Sequence, residues 1–249
     1  MKVRLLAKTE GIADSEYSGK TLDEITVGIA RISSSREVNN LFSEPEKLLR
    51  HCITHGHWSV FTTTTLVFEI TTSRAIGREL LRHWSLRPQE ISQRYAEIAE
   101  IEPIELRKQA ENNRQSSTVV IDDPFLNKLT KETIDNSLAT YNSLLNEGVS
   151  RETARMVLPE TTQTKLIFNG TLREWITTLN QRLHKTAQLE IRLVAQAIRD
   201  EFIKQCPIIS EALFNFEDAE EIHILDRLVL EKFGVYDVVK QNGFKKLKK

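Results

Sequence analysis

Arg82-His83-Trp84-Ser85-Leu86-Arg87-Pro88-Gln89-Glu90-Ile91-Ser92-Gln93-Arg94-Tyr95 places three arginines, a histidine and a glutamate within fourteen residues. Each arginine offers a planar fork of N–H donors that matches phosphate and carboxylate oxygens. The run Arg87-Pro88-Gln89 interrupts any helix, because proline lacks an N–H and clashes with the preceding turn. The stretch therefore reads as a loop built to hold a polar, phosphorylated ligand. The plainer alternative is a solvated charged loop.

Bulk properties narrow the choices. The chain has 249 residues, 40% hydrophobic and 28% charged, which describes an ordinary globular protein with ample core. A formal net charge of -1 gives no global attraction to nucleic acid or membrane, so any functional positive charge is local. Two cysteines, Cys52 and Cys206, argue against a disulfide scaffold and for a reducing compartment. No apolar run approaches the roughly 20 residues of a membrane span, and Met1-Lys2-Val3-Arg4 lacks a signal-peptide core. A cytoplasmic protein without membrane or nucleic-acid partners is expected.

Local patterns predict one mixed α/β domain over residues 1–249. Residues 2–8 read as a strand. Thr21-Leu22-Asp23-Glu24 resembles a capping box opening a helix to about residue 32, and Pro45 sits early in a second helix ending near His55-Gly56. Residues 62–72, rich in Thr, Val, Phe and Ile, predict a strand. Ser73 caps a helix to about Arg82, on which Arg74, Arg78 and Arg82 share a face. Such stacked cations call for an anion along that face, or for neutralisation by Glu79 and outside carboxylates. Residues 108–123 are polar and predict a mobile loop. Helices are expected over 124–146 and about 151–157, a strand over 164–169, a turn at Gly170, and helices over 171–183 and 187–205. The tail from Pro207 is weakly patterned and Lys245-Lys246-Leu247-Lys248-Lys249 reads as a frayed end.

The pattern Arg82-His83-X, seven residues, Ser92, X, Arg94-Tyr95 resembles the signature of the flavin-dependent thymidylate synthases. The usual form there is Arg-His-Arg at the same spacing, so Trp84 is a departure. Ala154-Arg155-Met156-Val157-Leu158-Pro159 resembles a second block of that family. The resemblance continues through Arg173, Thr177, Arg182 and Ala187-Gln188-Leu189-Glu190-Ile191-Arg192, and His55-Gly56-His57-Trp58-Ser59 matches upstream. Together these blocks cover residues ~50–200 at family-like spacings.

The resemblance implies a mixed α+β fold with a central, mostly antiparallel sheet flanked by helices. It implies a homotetramer with active sites at subunit interfaces, holding FAD, deoxyuridine monophosphate and 5,10-methylenetetrahydrofolate. It also implies reductive methylation of the uracil ring with NADPH as reductant. By position, His57, Ser59, Arg82, His83, Trp84, Glu90, Thr171, Arg173 and Thr177 correspond to flavin contacts. Glu79, Arg82, Glu90, Ser92, Arg94, Arg155 and Arg182 correspond to nucleotide contacts, with Arg182 in the place of the arginine that activates the pyrimidine. Besides Trp84, Glu79 stands where a glutamine is common, and Thr62 where a glutamate lies near the flavin. Thr171 and Thr177 stand where some members carry asparagines.

The chemistry suits these residues. Methylating C5 of uracil develops negative charge on the ring and its carbonyl oxygens. Arg182 stays protonated, so it fits electrostatic stabilisation rather than general-base work. Arg94 and Arg155 suit the phosphate, and Ser92 adds a hydroxyl. Ser92 as a nucleophile lacks a visible base, and Cys52 and Cys206 fall outside the signature blocks. His51, His55 and His57 present a metal-site alternative, though no His-Glu-X-X-His pattern surrounds them. Three further readings stay open: a nucleotide- or RNA-binding module using Arg74, Arg78, Arg82, Arg87 and Arg94, a metal-dependent hydrolase, and a family member that binds ligands without turnover.

Overall fold

The computed structural model describes residues 1–33, 40–97, 100–113 and 115–214. In chain order its elements are β1 (Lys2–Lys8), α1 (Leu22–Ile32), α2 (Pro45–Thr54), β2 (Thr65–Ser73), α3 (Arg74–Leu81) and β3 (Arg87–Glu90). There follow β4 (Arg107–Gln109), β5 (Ser117–Val120), α4 (Pro124–Asn146), α5 (Arg151–Ala154), β6 (Gln163–Thr171), α6 (Leu172–Arg182), α7 (Leu189–Gln205) and α8 (Pro207–Leu213). Short 3-10 turns occupy Trp58–Thr62 and Arg155–Val157.

Leu66, Phe68 and Ile70 of β2 alternate with half-buried residues, the signature of a strand with one apolar face. They lie opposite Gly170, Phe168 and Leu166 of β6 in an antiparallel register. β1 and β3 complete an all-antiparallel sheet in the order β1-β2-β6-β3. The helices cover its apolar face. Trp175 of α6 is fully buried, packs edge-on to Phe68 at 4.9 Å and donates its indole N–H to the Leu66 carbonyl at 3.0 Å. The opposite face carries charge, where Glu69 pairs with Arg4 at 3.0 Å and Lys165 at 3.9 Å. The mixed α+β architecture with a central antiparallel sheet is as expected.

Helix starts follow their caps. The Thr21/Glu24 capping box opens α1, Ser73 accepts the Ile76 N–H at the start of α3, and Asp123 accepts the Phe125 and Leu126 N–H groups before Pro124 of α4.

Several expectations need correction. Residues 62–72 split, since a 3-10 turn ends at Thr62 and the strand begins at Thr65. Residues 87–90 are a strand rather than a loop. Pro88 is tolerated because β3 is a sheet edge, where a missing N–H costs no ladder bond. Gly170 is no turn but lies within β6, and a Cβ there would come within 2.4 Å of Leu86 Cδ2 and 2.9 Å of Trp175 Nε1. Within 108–123 a two-stranded ladder pairs β4 with β5. Arg107 pins it by ion pairs to Glu105 and Glu190 and a 2.9 Å bond to Ser117 Oγ. Past Pro207, α8 is held by Asp23, whose carboxylate accepts the Ile208 and Ile209 N–H groups at 2.9 and 3.2 Å. The expected frayed end at 245–249 lies outside the described residues.

Candidate active site

The connection 82–86 leaves the end of α3 and enters β3. Two tight hydrogen bonds, His83 N–H to the Leu80 carbonyl and Leu86 N–H to the His83 carbonyl, both 3.0 Å, shape it. His83 and Leu86 turn inward and are buried, whereas Arg82 is exposed and Trp84 is 92% exposed.

Arg182, the last residue of α6, reaches back to this connection. Its Nε donates to His83 Nε2 at 2.7 Å, Nη1 to Glu79 Oε2 at 3.0 Å, and Nη2 to the Glu79 carbonyl at 2.9 Å. An imidazole that accepts at Nε2 carries its proton on Nδ1, and that nitrogen faces Thr178 Oγ1 at 3.5 Å. Burial, followed by the positive charges of Arg182 and Arg82, pushes the His83 pKa down to about 4. The ring is therefore neutral at physiological pH. Among the described residues the guanidinium uses three of its five N–H donors on these partners and leaves two, one on each terminal nitrogen.

A second group gathers around Glu152. Arg94 Nη2 pairs with its carboxylate at 3.3 Å, and Arg155 Nε donates to its carbonyl at 3.4 Å. Ser92 closes the turn beneath them, its carbonyl accepting the Tyr95 and Ala96 N–H groups and its Oγ the Arg94 N–H at 3.3 Å. The two arginines expected at the phosphate thus converge on one residue. Glu90 accepts the Thr164 hydroxyl at 2.6 Å and pairs with Arg74 at 3.3 Å.

The expected flavin positions are more dispersed. His57 and Ser59 sit exposed at the start of the 3-10 turn, and Arg173 and Thr177 are exposed on α6. Thr171 is buried. Its hydroxyl accepts the Glu174 N–H while the Glu174 carboxylate accepts the Thr171 N–H, a capping box that occupies the side chain. Arg87 adds a fork onto the same carboxylate at 3.1 and 3.2 Å. No hydrogen bond or ion pair among the described residues links the Glu152 group to Arg182.

Charge compensation sorts the arginines. Arg74, Arg78, Arg87 and Arg94 pair with Glu90, Glu160, Glu174 and Glu152. Outside carboxylates thus neutralise Arg74 and Arg78 on the α3 face but not Arg82, while Glu79 turns to Arg182 instead. This removes most of the basic face that an RNA-binding reading requires. Arg82, Arg155 and Arg173 carry no carboxylate partner among the described residues. The histidine cluster stacks: His51 and His55 rings lie 4.0 Å apart at 33°, and His55 Nδ1 sits 2.9 Å from the His51 carbonyl. No metal-ligating group of three forms among the described residues. Cys52 and Cys206 are both buried, and burial raises both thiol pKa values.

Sequence reasoning missed Thr178, Glu152, Glu160 and Thr164, which bear no signature. It also missed Glu174, although Thr171-X-X-Glu174 is a capping-box pattern. A groove of about 560 Å³ between Ile101, Ile104 and Leu106 and the α4 residues Ile134 and Leu138 is lined by none of these site residues.

The antiparallel sheet, with the Arg182 guanidinium fixed between the ends of α3 and α6, is an architecture shared with known proteins. Residues 15–208 match the family Thy1, thymidylate synthase complementing protein. The chain is 36% identical over 218 residues to a probable flavin-dependent thymidylate synthase of Paramecium bursaria Chlorella virus 1, covering 86% of this chain and 99% of the viral protein. It is 37% identical over 211 residues to the flavin-dependent thymidylate synthase of Synechocystis sp., covering 84% and 96% of the two chains. The fold resembles the crystal structure of a UMP/dUMP methylase, PolB from Streptomyces cacaoi bound with 5-Br dUMP. That match has a TM-score of 0.72 and 24% identity, over 85% of this chain and 93% of the other. The chain belongs to the flavin-dependent thymidylate synthase family, a family of methyltransferase enzymes.

Proposed function

We propose that this protein methylates C5 of deoxyuridine monophosphate to give thymidylate. 5,10-Methylenetetrahydrofolate donates the carbon, NADPH the reducing equivalents, and no cysteine acts as nucleophile. In the balanced reaction deoxyuridine monophosphate, methylenetetrahydrofolate, NADPH and a proton give thymidylate, tetrahydrofolate and NADP+, with the C5–H proton replaced by the methylene carbon and a hydride equivalent. Bound FAD supplies the redox chemistry that connects NADPH to this reduction. The exposed Arg82 and Arg173, without a carboxylate partner among the described residues, with the exposed ring of Trp84 and with His57 and Ser59, fit an anionic, aromatic cofactor.

The observation that carries the reading is Arg182. It is a permanent cation on the end of a helix, immobilised by three hydrogen bonds, with two donors to spare. Such preorganised donors stabilise charge that develops on a pyrimidine oxygen or ring nitrogen. Arg94, Arg155 and Ser92 are assigned to the phosphate, where a dianion would take over from the Glu152 carboxylate. Arg82 and Glu90 complete the nucleotide side, with Glu79 behind Arg182, and Thr171 and Thr177 the flavin side.

Association into a homotetramer with shared active sites accounts for apolar side chains left in solvent, among them Phe125 and Leu129 of α4 and Met156. No helix among the described residues is long and apolar enough to cross a membrane, and we assign the protein to the cytoplasm. Ligand binding without turnover is the second reading, favoured by Trp84 and Glu79 at positions where the resemblance implies arginine and glutamine.

Purified protein supplied with FAD is expected to keep a flavin spectrum through gel filtration and to shift it when deoxyuridine monophosphate is added. With methylenetetrahydrofolate and NADPH it is expected to form thymidylate. Arg182→Ala is expected to lose turnover by about 100-fold or more. Bound flavin and nucleotide without product would favour the second reading, and near-normal turnover of the variant would remove Arg182 from its role.

A further inference from the structure

Arg182 is held by two side chains that the family resemblance assigns to ligands, His83 to the flavin and Glu79 to the nucleotide. The structure gives both other work. His83 is buried, its Nε2 lies 2.7 Å from Arg182 Nε, and its Nδ1 faces the Thr178 hydroxyl. Both ring nitrogens therefore have protein neighbours. Glu79 meets the same guanidinium twice, through its carboxylate and its main-chain carbonyl. That carbonyl lies in the last turn of α3, where carbonyls lack intrahelical partners and the helix end favours positive charge. Arg182 thus also serves as a cap for α3.

We infer that His83 and Glu79 are positioning residues that act on the nucleotide through Arg182. His83 fixes the Nε edge of the guanidinium, and the Glu79 carboxylate sets how much of its charge reaches the pyrimidine. This inference rests on the proposed function for its kinetic arm and, through nucleotide binding, for its calorimetric arm, whereas the spectroscopic arm stands apart from it.

The geometry supplies the reason. A donor at Arg182 Nε needs a lone pair at Nε2, so only the neutral, Nδ1-protonated ring fits. A proton on Nε2 would set two donors against each other at 2.7 Å. The charged groups that bear on the ring are Arg82 from its own connection and Arg182 from α6, both cationic, and Glu79 of α3 lies on the far side of the guanidinium. A carboxylate on Arg182 restrains it but also offsets the charge that the reaction uses. A glutamine at position 79 would keep an acceptor and remove that offset.

Four measurements test this. In protein labelled with 15N-histidine, His83 is expected to show a protonated Nδ1 and a bare Nε2, unchanged down to about pH 5. A protonated Nε2, or titration near the ordinary histidine value, would overturn the arrangement whatever the protein catalyses. In the flavin-loaded enzyme, His83→Ala is expected to lose kcat by about 30-fold, and His83→Gln, whose amide oxygen can accept from Nε, by less than about 5-fold. FAD affinity is expected to stay within about 2-fold in both variants. A loss of flavin affinity with kcat restored at saturating FAD would make His83 a flavin contact instead. Glu79→Gln is expected to tighten deoxyuridine monophosphate binding by about 3- to 10-fold in calorimetry, and unchanged or weaker binding would overturn the charge-setting role. If the wild-type enzyme makes no thymidylate, the proposed function fails, and the spectroscopic arm still decides the inference.

Discussion

Two buried titratable groups hold this fold, and burial shifts them in opposite directions. Asp23, 1% exposed on α1, accepts two N–H groups at the start of α8, while His83 accepts one N–H from Arg182. Burial raises Asp23 to about 6 against the pull of those two hydrogen bonds, and burial with two neighbouring cations lowers His83 to about 4. Both shifts favour the neutral form. Yet one group joins two structural helices and the other orients the proposed catalytic arginine, so perturbation by itself does not mark a functional site. What separates them is the partner. Asp23 faces backbone, and His83 faces a cation with donors left over.

The largest effect that would break this comparison is in the pH dependence of stability. His83 binds protons less well folded than unfolded, so its contribution is complete above about pH 6.5 and is lost as pH falls toward 4. That is worth about 3 kcal/mol. Asp23 binds protons better when folded, so its contribution is complete below about pH 4 and is lost as pH rises toward 6, by a similar amount. Urea unfolding between pH 4 and 7 is expected to show nearly flat stability for the wild type. His83→Gln should leave a fall with rising pH, and Asp23→Asn a rise. A wild-type profile matched by both variants would remove the contrast.

Asp23→Ala sharpens the comparison from the structural side. Two N–H groups at the start of α8 lose their acceptor, at a cost of about 1–3 kcal/mol, with kcat unchanged. Loss of turnover without loss of stability would place Asp23 in the wrong class. Arg87→Ala tests a half-exposed counterpart. Its fork onto Glu174 is expected to contribute only about 0.5–1 kcal/mol to the melting transition, because solvent screens it. The smallest stability effect is expected at Trp84→Arg, within about 0.5 kcal/mol, since the side chain touches little protein. FAD binding by that variant should change by more than its stability does, and a variant that melts early instead would show Trp84 to be structural.

The elements legible in the sequence are those whose cause is local. Thr21 with Glu24, Ser73, and Pro124 behind Asp123 announce their helices because capping chemistry operates within four residues. β3 is not legible, because four residues containing a proline show no apolar alternation and pair only through β6. β4 and β5 escape for a related reason, with little apolar burial on either strand to write a period. Arg182 could be singled out from resemblance, but its clamp joins residues 103 apart in sequence. Glu152 illustrates the same limit, as nothing near it foretells that Arg94 and Arg155 will meet there.

The connection 82–86 has a consequence for how the family signature varies. One end is fixed by the buried His83 against Arg182, and the other by buried Leu86, which fills the space beside Gly170, followed by Arg87 anchored on the α6 cap. Arg82 and Trp84 project from a backbone that the protein's own contacts hold at both ends, which limits the conformational penalty of binding there. Position 84 is accordingly free to drift. An arginine, a tryptophan or another large side chain fits there with the fold unaltered, because the side chain stands in solvent.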